Sequence, residues 1–274
     1  MIKASLIISV LGLLLALQVN SPVFAQEEKY YIKDTATVIV GEGNEGGTVE
    51  RPGPGPAPDC PPGGSTKEID DALKDEFGVI VKEGGNWYGL GSVLGPENVN
   101  CETRRSIYRA YALPSQSGAF RRKLEPWDPF SFECYRSNGP YAHVHNKDLL
   151  QFSNCINIRE NFTVYGFLAL HETGHIIATR KGSLYRSFPH RQLVNQDGRD
   201  CYGNRVNNYV IRTYGIFPRD AKSESFAEAI ALYVYNKKTY TVLASLPLDN
   251  FKVRCRNTYN WMRDNVFGGY EFNL

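Results

Sequence analysis

Two histidines and a glutamate stand at the one spacing in this chain that suits metal-assisted hydrolysis. The stretch Phe167-Leu-Ala-Leu-His-Glu-Thr-Gly-His-Ile-Ile177 contains His171-Glu172-x-x-His175, an H-E-x-x-H pattern. On a helix these histidines lie one turn apart on the same face, where both imidazoles can grip one catalytic Zn2+. Glu172 is turned about a quarter of a revolution away. That places it beside a water polarised by the ion, as a general base and not as a ligand. His143 and His145, two apart, would share one face of a strand. They read as surface residues of a hairpin rather than as a second metal site, and His190, in Phe188-Pro-His-Arg, reads as an ordinary loop residue.

A catalytic zinc needs a third protein ligand beside an open position. The extended pattern H-E-x-x-H-x-x-G-x-x-H fails, because Ala178 and Lys181 occupy the required places. An Asp-x-x-Tyr-Gly arrangement fails as well, since Arg199 stands where the Asp before Tyr202-Gly203 should be. The best candidate lies in Ser223-Glu-Ser-Phe-Ala-Glu-Ala-Ile-Ala-Leu-Tyr-Val234. As a helix this puts Glu224 and Glu228 on one face with Ala231, flanked by the small Ala227. Phe226, Ile230 and Tyr233 occupy another face, so the helix is buried and its carboxylates need partners. Glu224 as ligand and Glu228 as acceptor for a ligand histidine N–H would satisfy both. The competing readings are Glu228 as the ligand, or a structural ion pair with Arg212 or Arg219.

The elements that must position these residues are legible in outline. Val164, Phe167, Leu168, Leu170, Ile176, Ile177 and Ala178 cover nearly every side of the histidine helix, which predicts burial. It should start near Asn161 or Thr163 and end with Arg180 and Lys181, which suit its negative end. Residues 69–77 predict an amphipathic helix stopped at Gly78, followed by a strand at 79–81. A helix at 102–113 should end before Pro114, a strand fits 130–134, and 141–144 with 149–152 predict a hairpin around Asn146-Lys-Asp. The order is that of an α+β fold, a small mixed sheet packed on the H-E-x-x-H helix.

Lys3, an apolar run over residues 4–19 and then Asn20-Ser-Pro-Val-Phe-Ala25 read as a secretory signal over residues 1–25, cleaved before Gln26. The run is short for a membrane span, and no later stretch is long and apolar enough for one. We therefore expect a secreted protein with no stable membrane insertion after signal cleavage. Residues 26–66 form a Gly/Pro-rich segment and linker, including Pro52-Gly-Pro-Gly-Pro-Ala-Pro, and residues 67–274 suit a single domain. The six cysteines (Cys60, Cys101, Cys134, Cys155, Cys201 and Cys255) all follow the signal and predict disulfides, with Cys60 tying the linker to the body. No C-x-x-C spacing occurs, which argues against a cysteine-held zinc. A net charge of +2 gives no argument for a nucleic-acid partner, and Arg121-Arg122-Lys123 reads as a solvated face.

His171-Glu-Thr-Gly-His175, with Glu224-Ser-Phe-Ala-Glu228 further along, resembles the catalytic domain of the anthrax lethal factor family, whose relatives include secreted Pro-Pro endopeptidases. The strong likeness covers residues 164–234, and a weaker one in element order extends over 69–262. The resemblance implies a zincin-like metalloprotease domain that hydrolyses peptide bonds of an extended peptide or protein substrate. It implies His171, His175 and Glu224 as ligands of one Zn2+ and Glu172 as general base. The family carries a transition-state tyrosine seven residues before the third ligand, where this chain has Phe217. Tyr214, one turn earlier, is a candidate substitute, set against the reading that it is a packed aromatic, with Arg219, His190 and Tyr202 as the other donors to consider. The rival readings are a secreted zinc-binding but catalytically inactive module of the same fold, and a metal-free domain with a buried polar network. The intact Glu172 weighs against the inactive module and Phe217 for it.

Overall fold

The computed structural model describes residues 54–60, 65–89, 92–124, 129–138, 142–160, 162–198, 218–235 and 251–272. In α1 (Lys67–Phe77) the residues Ile69, Leu73 and Phe77 recur on one face and are buried. The helix stops at Gly78, whose left-handed backbone (φ 66°) lets its N–H reach the carbonyls of Leu73 and Lys74. β1 (Val79–Glu83) and β2 (Val93–Pro96) follow, then α2 (Cys101–Ser115), α3 (Gly118–Leu124), β3 (Phe130–Ser137), β4 (Ala142–His145) and β5 (Leu149–Ser153). Asn100 caps α2 by accepting from the Thr103 N–H at 2.9 Å. Contrary to expectation, α2 does not end before Pro114 but runs through it. The proline falls in the last turn, where the helix forgoes only the bond its missing N–H would have made. Arg121 is likewise not a solvated charge: it is buried and ion-paired with Glu76.

Among the described residues the strands form one mixed five-stranded sheet in the order β1-β3-β5-β4, with β2 also paired to β3. β1, β3 and β5 are parallel; β2 and β4 run antiparallel to their neighbours. The expected β4–β5 hairpin turns at Asn146, whose φ of 61° suits a short polar side chain. Alternation sends Val79, Val81, Phe130, Phe132, Leu150 and Phe152 into a core on one face. On the other face Glu133, Tyr135 and Gln151 form a polar cluster under residues 84–89. Gln151 donates to the Asn86 carbonyl at 2.7 Å and accepts from the Tyr88 N–H at 2.9 Å.

The second half is helical: α4 (Ile156–Glu160), α5 (Phe162–Arg180), α6 (Gly182–Ser187), α7 (His190–Asp197), α8 (Pro218–Val234), α9 (Phe251–Arg254) and α10 (Arg256–Asn265). Two hydrophobic cores meet on α5. Ala169 and Ile176 belong to the core under the sheet, packed with α1 and α2. Phe167, Leu170 and Ile177 belong to a second core, built with α8, α10 and the residues after it. This double packing is why α5 is apolar nearly all round. Each large side chain so buried contributes about 1.5–3 kcal/mol.

Disulfides Cys60–Cys101 and Cys134–Cys155 brace the sheet half, and Cys255 is disulfide-bonded as well; Cys201 lies outside the described residues. The bridges span 41 and 21 positions. Loops of that length imply about 3–4 kcal/mol each in the chain-entropy account. Cys60 ties residues 54–60 to α2, where Tyr108 also donates to the Gly55 carbonyl at 3.2 Å and Arg105 pairs with Asp59 at 3.0 Å. Among the described residues, no helix is long and apolar enough to cross a membrane.

Candidate metal centre

The site is made where α5 and α8 touch, and small residues set how closely they touch. Gly174 has no side chain because there is no room for one: a Cβ there would lie 2.6 Å from the Ala227 Cα. With Ala227 opposite, the backbones come near enough for short acidic side chains on α8 to reach the histidines on α5. Ser223 with Ala227 and Glu224 with Glu228, each pair four apart, line the side of α8 turned to α5.

His171 and His175 each present two nitrogens to two different partners. The Nε2 atoms converge on one carboxylate, at 3.2 Å from Glu224 Oε2 for His171 and 3.4 Å from Glu224 Oε1 for His175. One ligand atom from each of the three residues lies within 4.8 Å of the others. Behind the rings, His171 Nδ1 lies 2.9 Å from Glu228 Oε2, and His175 Nδ1 lies 3.0 Å from Ser223 Oγ. In the neutral tautomer whose Nδ1–H donates backwards, each Nε2 would keep its lone pair for a cation at the shared point in front. Two imidazole nitrogens and a carboxylate oxygen form a donor set suited to zinc, with a coordination position left over.

The electrostatics follow from burial and crowding. Burial pushes the His171 pKa down, but Glu224 and Glu228 overcome this and hold it well above 6.5. Burial alone would raise Glu224; hydrogen bonds from His171 and His175 instead keep it far below the usual carboxylate range. Glu172 is 6 % exposed, and burial raises its pKa against the opposing pull of both histidines. A carboxylate so placed binds a proton more readily than one in water. The neighbouring Thr173 donates to the Ala169 carbonyl at 2.8 Å and lies 3.0 Å from the buried Tyr111 hydroxyl, joining α2 to this turn of α5.

The structure brings together His171, His175 and Glu224, and it sets Glu228 behind His171. Among the described interactions both carboxylates engage histidines. Arg212 lies outside the described residues, and the side chain of Arg219 is not among those described. Tyr214, Phe217 and Tyr202 also lie outside them. The remaining histidines differ from expectation. His143 is half-buried and not freely exposed: its ring packs edge-on to Trp87 at 5.0 Å, and its two nitrogens are buried without a hydrogen-bond partner among the described residues. Burial, and then His145, lowers its pKa from 6.5 to about 4. His145 stacks on Tyr88 at 4.0 Å, and among the described residues neither histidine joins a metal-holding group. His190 is not a loop residue; it opens α7, with Nε2 3.1 Å from Ser225 Oγ. Two contributors went unread in the sequence, Gly174 as the contact point and Ser223 behind His175. The available signal was the helical face, on which Ser223 is one turn before Ala227.

Comparison with protein-family models, curated proteins and solved structures returned no significant match.

Proposed function

We propose that this chain is a secreted, zinc-dependent endopeptidase with a zincin-like fold, related in kind to the lethal factor family it resembles. The observation that carries this reading is the convergence of His171, His175 and Glu224 on one point, with the buried Glu172 on the next position of the same helix. A zinc ion held by these three residues would supply Lewis acidity, polarising a scissile carbonyl and acidifying a water. Glu172 would take the proton of the attacking water and pass it to the departing amine. Glu228 holds His171 in the tautomer that leaves Nε2 free. β4 ends the sheet order and packs against α5, so an extended peptide can add to its open side by backbone hydrogen bonds beside the site. The role of Tyr214 in steadying the carbonyl oxygen rests on sequence alone. Disulfides support export, since they persist in oxidising compartments.

The direct test of the assigned chemistry is Glu172→Gln. The variant should bind zinc like the parent, because the residue handles protons and does not ligate. Its peptide hydrolysis should fall by about 10²–10⁴-fold. Loss of zinc would make Glu172 a ligand, and undiminished hydrolysis would remove it from the reaction.

A further inference from the structure

The ring of His175 has a partner that nothing in the H-E-x-x-H pattern calls for. We propose that Ser223 is a positioning residue for the metal centre: its hydroxyl oxygen accepts the Nδ1–H of His175 and so aims Nε2 at the point shared with Glu224. This rests on the zinc reading above and extends it to a residue that contacts neither metal nor substrate.

The geometry at the two histidines is parallel. His171 has Nδ1 at 2.9 Å from Glu228 and Nε2 at 3.2 Å from Glu224; His175 has Nδ1 at 3.0 Å from Ser223 and Nε2 at 3.4 Å from Glu224. Ser223 and Glu228 thus stand on either side of Glu224 along one face of α8, each backing one ring. An imidazole without such a partner can turn about its bond to Cβ or adopt the other tautomer, and either change takes the Nε2 lone pair off the target. The bland alternative is a helix-surface serine whose hydroxyl faces water. Ser223 is instead half-buried, with its oxygen at hydrogen-bond distance from the ring.

The two backings differ in kind: Glu228 is a carboxylate behind His171, whereas Ser223 is a neutral hydroxyl that orients His175.

The experiment compares zinc dissociation constants, by competition with a chromogenic chelator, for the parent, Ser223→Ala, Ser223→Thr and Ser223→Val. Thermal melts in excess chelator check that each variant folds. Visible spectra of the cobalt-loaded forms report ligand geometry independently of turnover. Ser223→Ala and Ser223→Val should each weaken zinc about 10-fold or more and shift the cobalt bands, with chelator-treated melts unchanged. Ser223→Thr, which keeps the hydroxyl, should stay close to the parent, although Thr and Val have nearly the same shape. Parent-like affinity and spectrum in Ser223→Ala, or equal weakening in Ser223→Thr and Ser223→Val, would overturn the proposal while leaving the zinc centre intact. A parent that binds no zinc would overturn the centre and Ser223 together.

Discussion

At the scale of the residue, two acids one helical turn apart receive different work from their neighbours. Glu224 faces the Nε2 atoms of both histidines, whereas Glu228 faces only Nδ1 of His171. Removing a ligand should cost more than removing a residue that orients one. Glu224→Ala should abolish zinc binding at micromolar concentrations, and Glu228→Ala should weaken it by about 10–100-fold. Zinc titration of the two variants checks the ranking, and the reverse order would move the third ligand to Glu228. The main positions of this centre were legible because helical periodicity is rigid: residues four apart must share a face, whatever surrounds them. Ser223 and His143 were not legible, for a common reason. A hydroxyl behind an imidazole has no spacing signature, and the burial of His143 depends on residues 84–89 crossing the sheet, a contact remote in sequence.

Between elements, the centre depends on the separation of α5 and α8. Gly174→Ala should gain about 1 kcal/mol of intrinsic helix propensity. Against that stands an overpacking cost of about 1–3 kcal/mol. The atom in the way is the Ala227 Cα, part of the backbone, so no rotamer change relieves it and the helices must part. We therefore expect Gly174→Ala to keep the fold but lose zinc affinity, read by titration beside a circular-dichroism spectrum. Parent-like affinity would show that helix spacing does not control the site. The long helices and the hairpin were legible from their periods and from the turn at Asn146. β2 was missed because Val93-Leu-Gly-Pro is short and holds two residues that weaken strands. The end of α2 was misplaced because a proline in a last turn costs one hydrogen bond and need not stop a helix. The parallel pairing of β1, β3 and β5 has no local signal, since it is formed by chain segments far apart in sequence.

For the molecule as a whole, a helix bearing His, Glu and His in a row lies between two hydrophobic cores. The sheet half holds one side and the C-terminal helices the other. Such confinement would suit the proposed catalysis, which needs its side chains held without reorganisation. The cysteine count pointed to disulfides but could not pair them, because pairing is settled by the folded distance between the half-cystines. Hydrolysis of peptide bonds through one bound zinc is tested most directly on the full protein with its disulfides intact. Zinc content is measured by elemental analysis, and cleavage of a diverse peptide library is followed before chelation, after chelation and after zinc is returned. We predict one zinc per chain, cleavage that stops when the zinc is removed, and recovery when one equivalent is restored. Cleavage that survives complete removal of the metal, or a fully zinc-loaded protein that cleaves no peptide, would contradict the account.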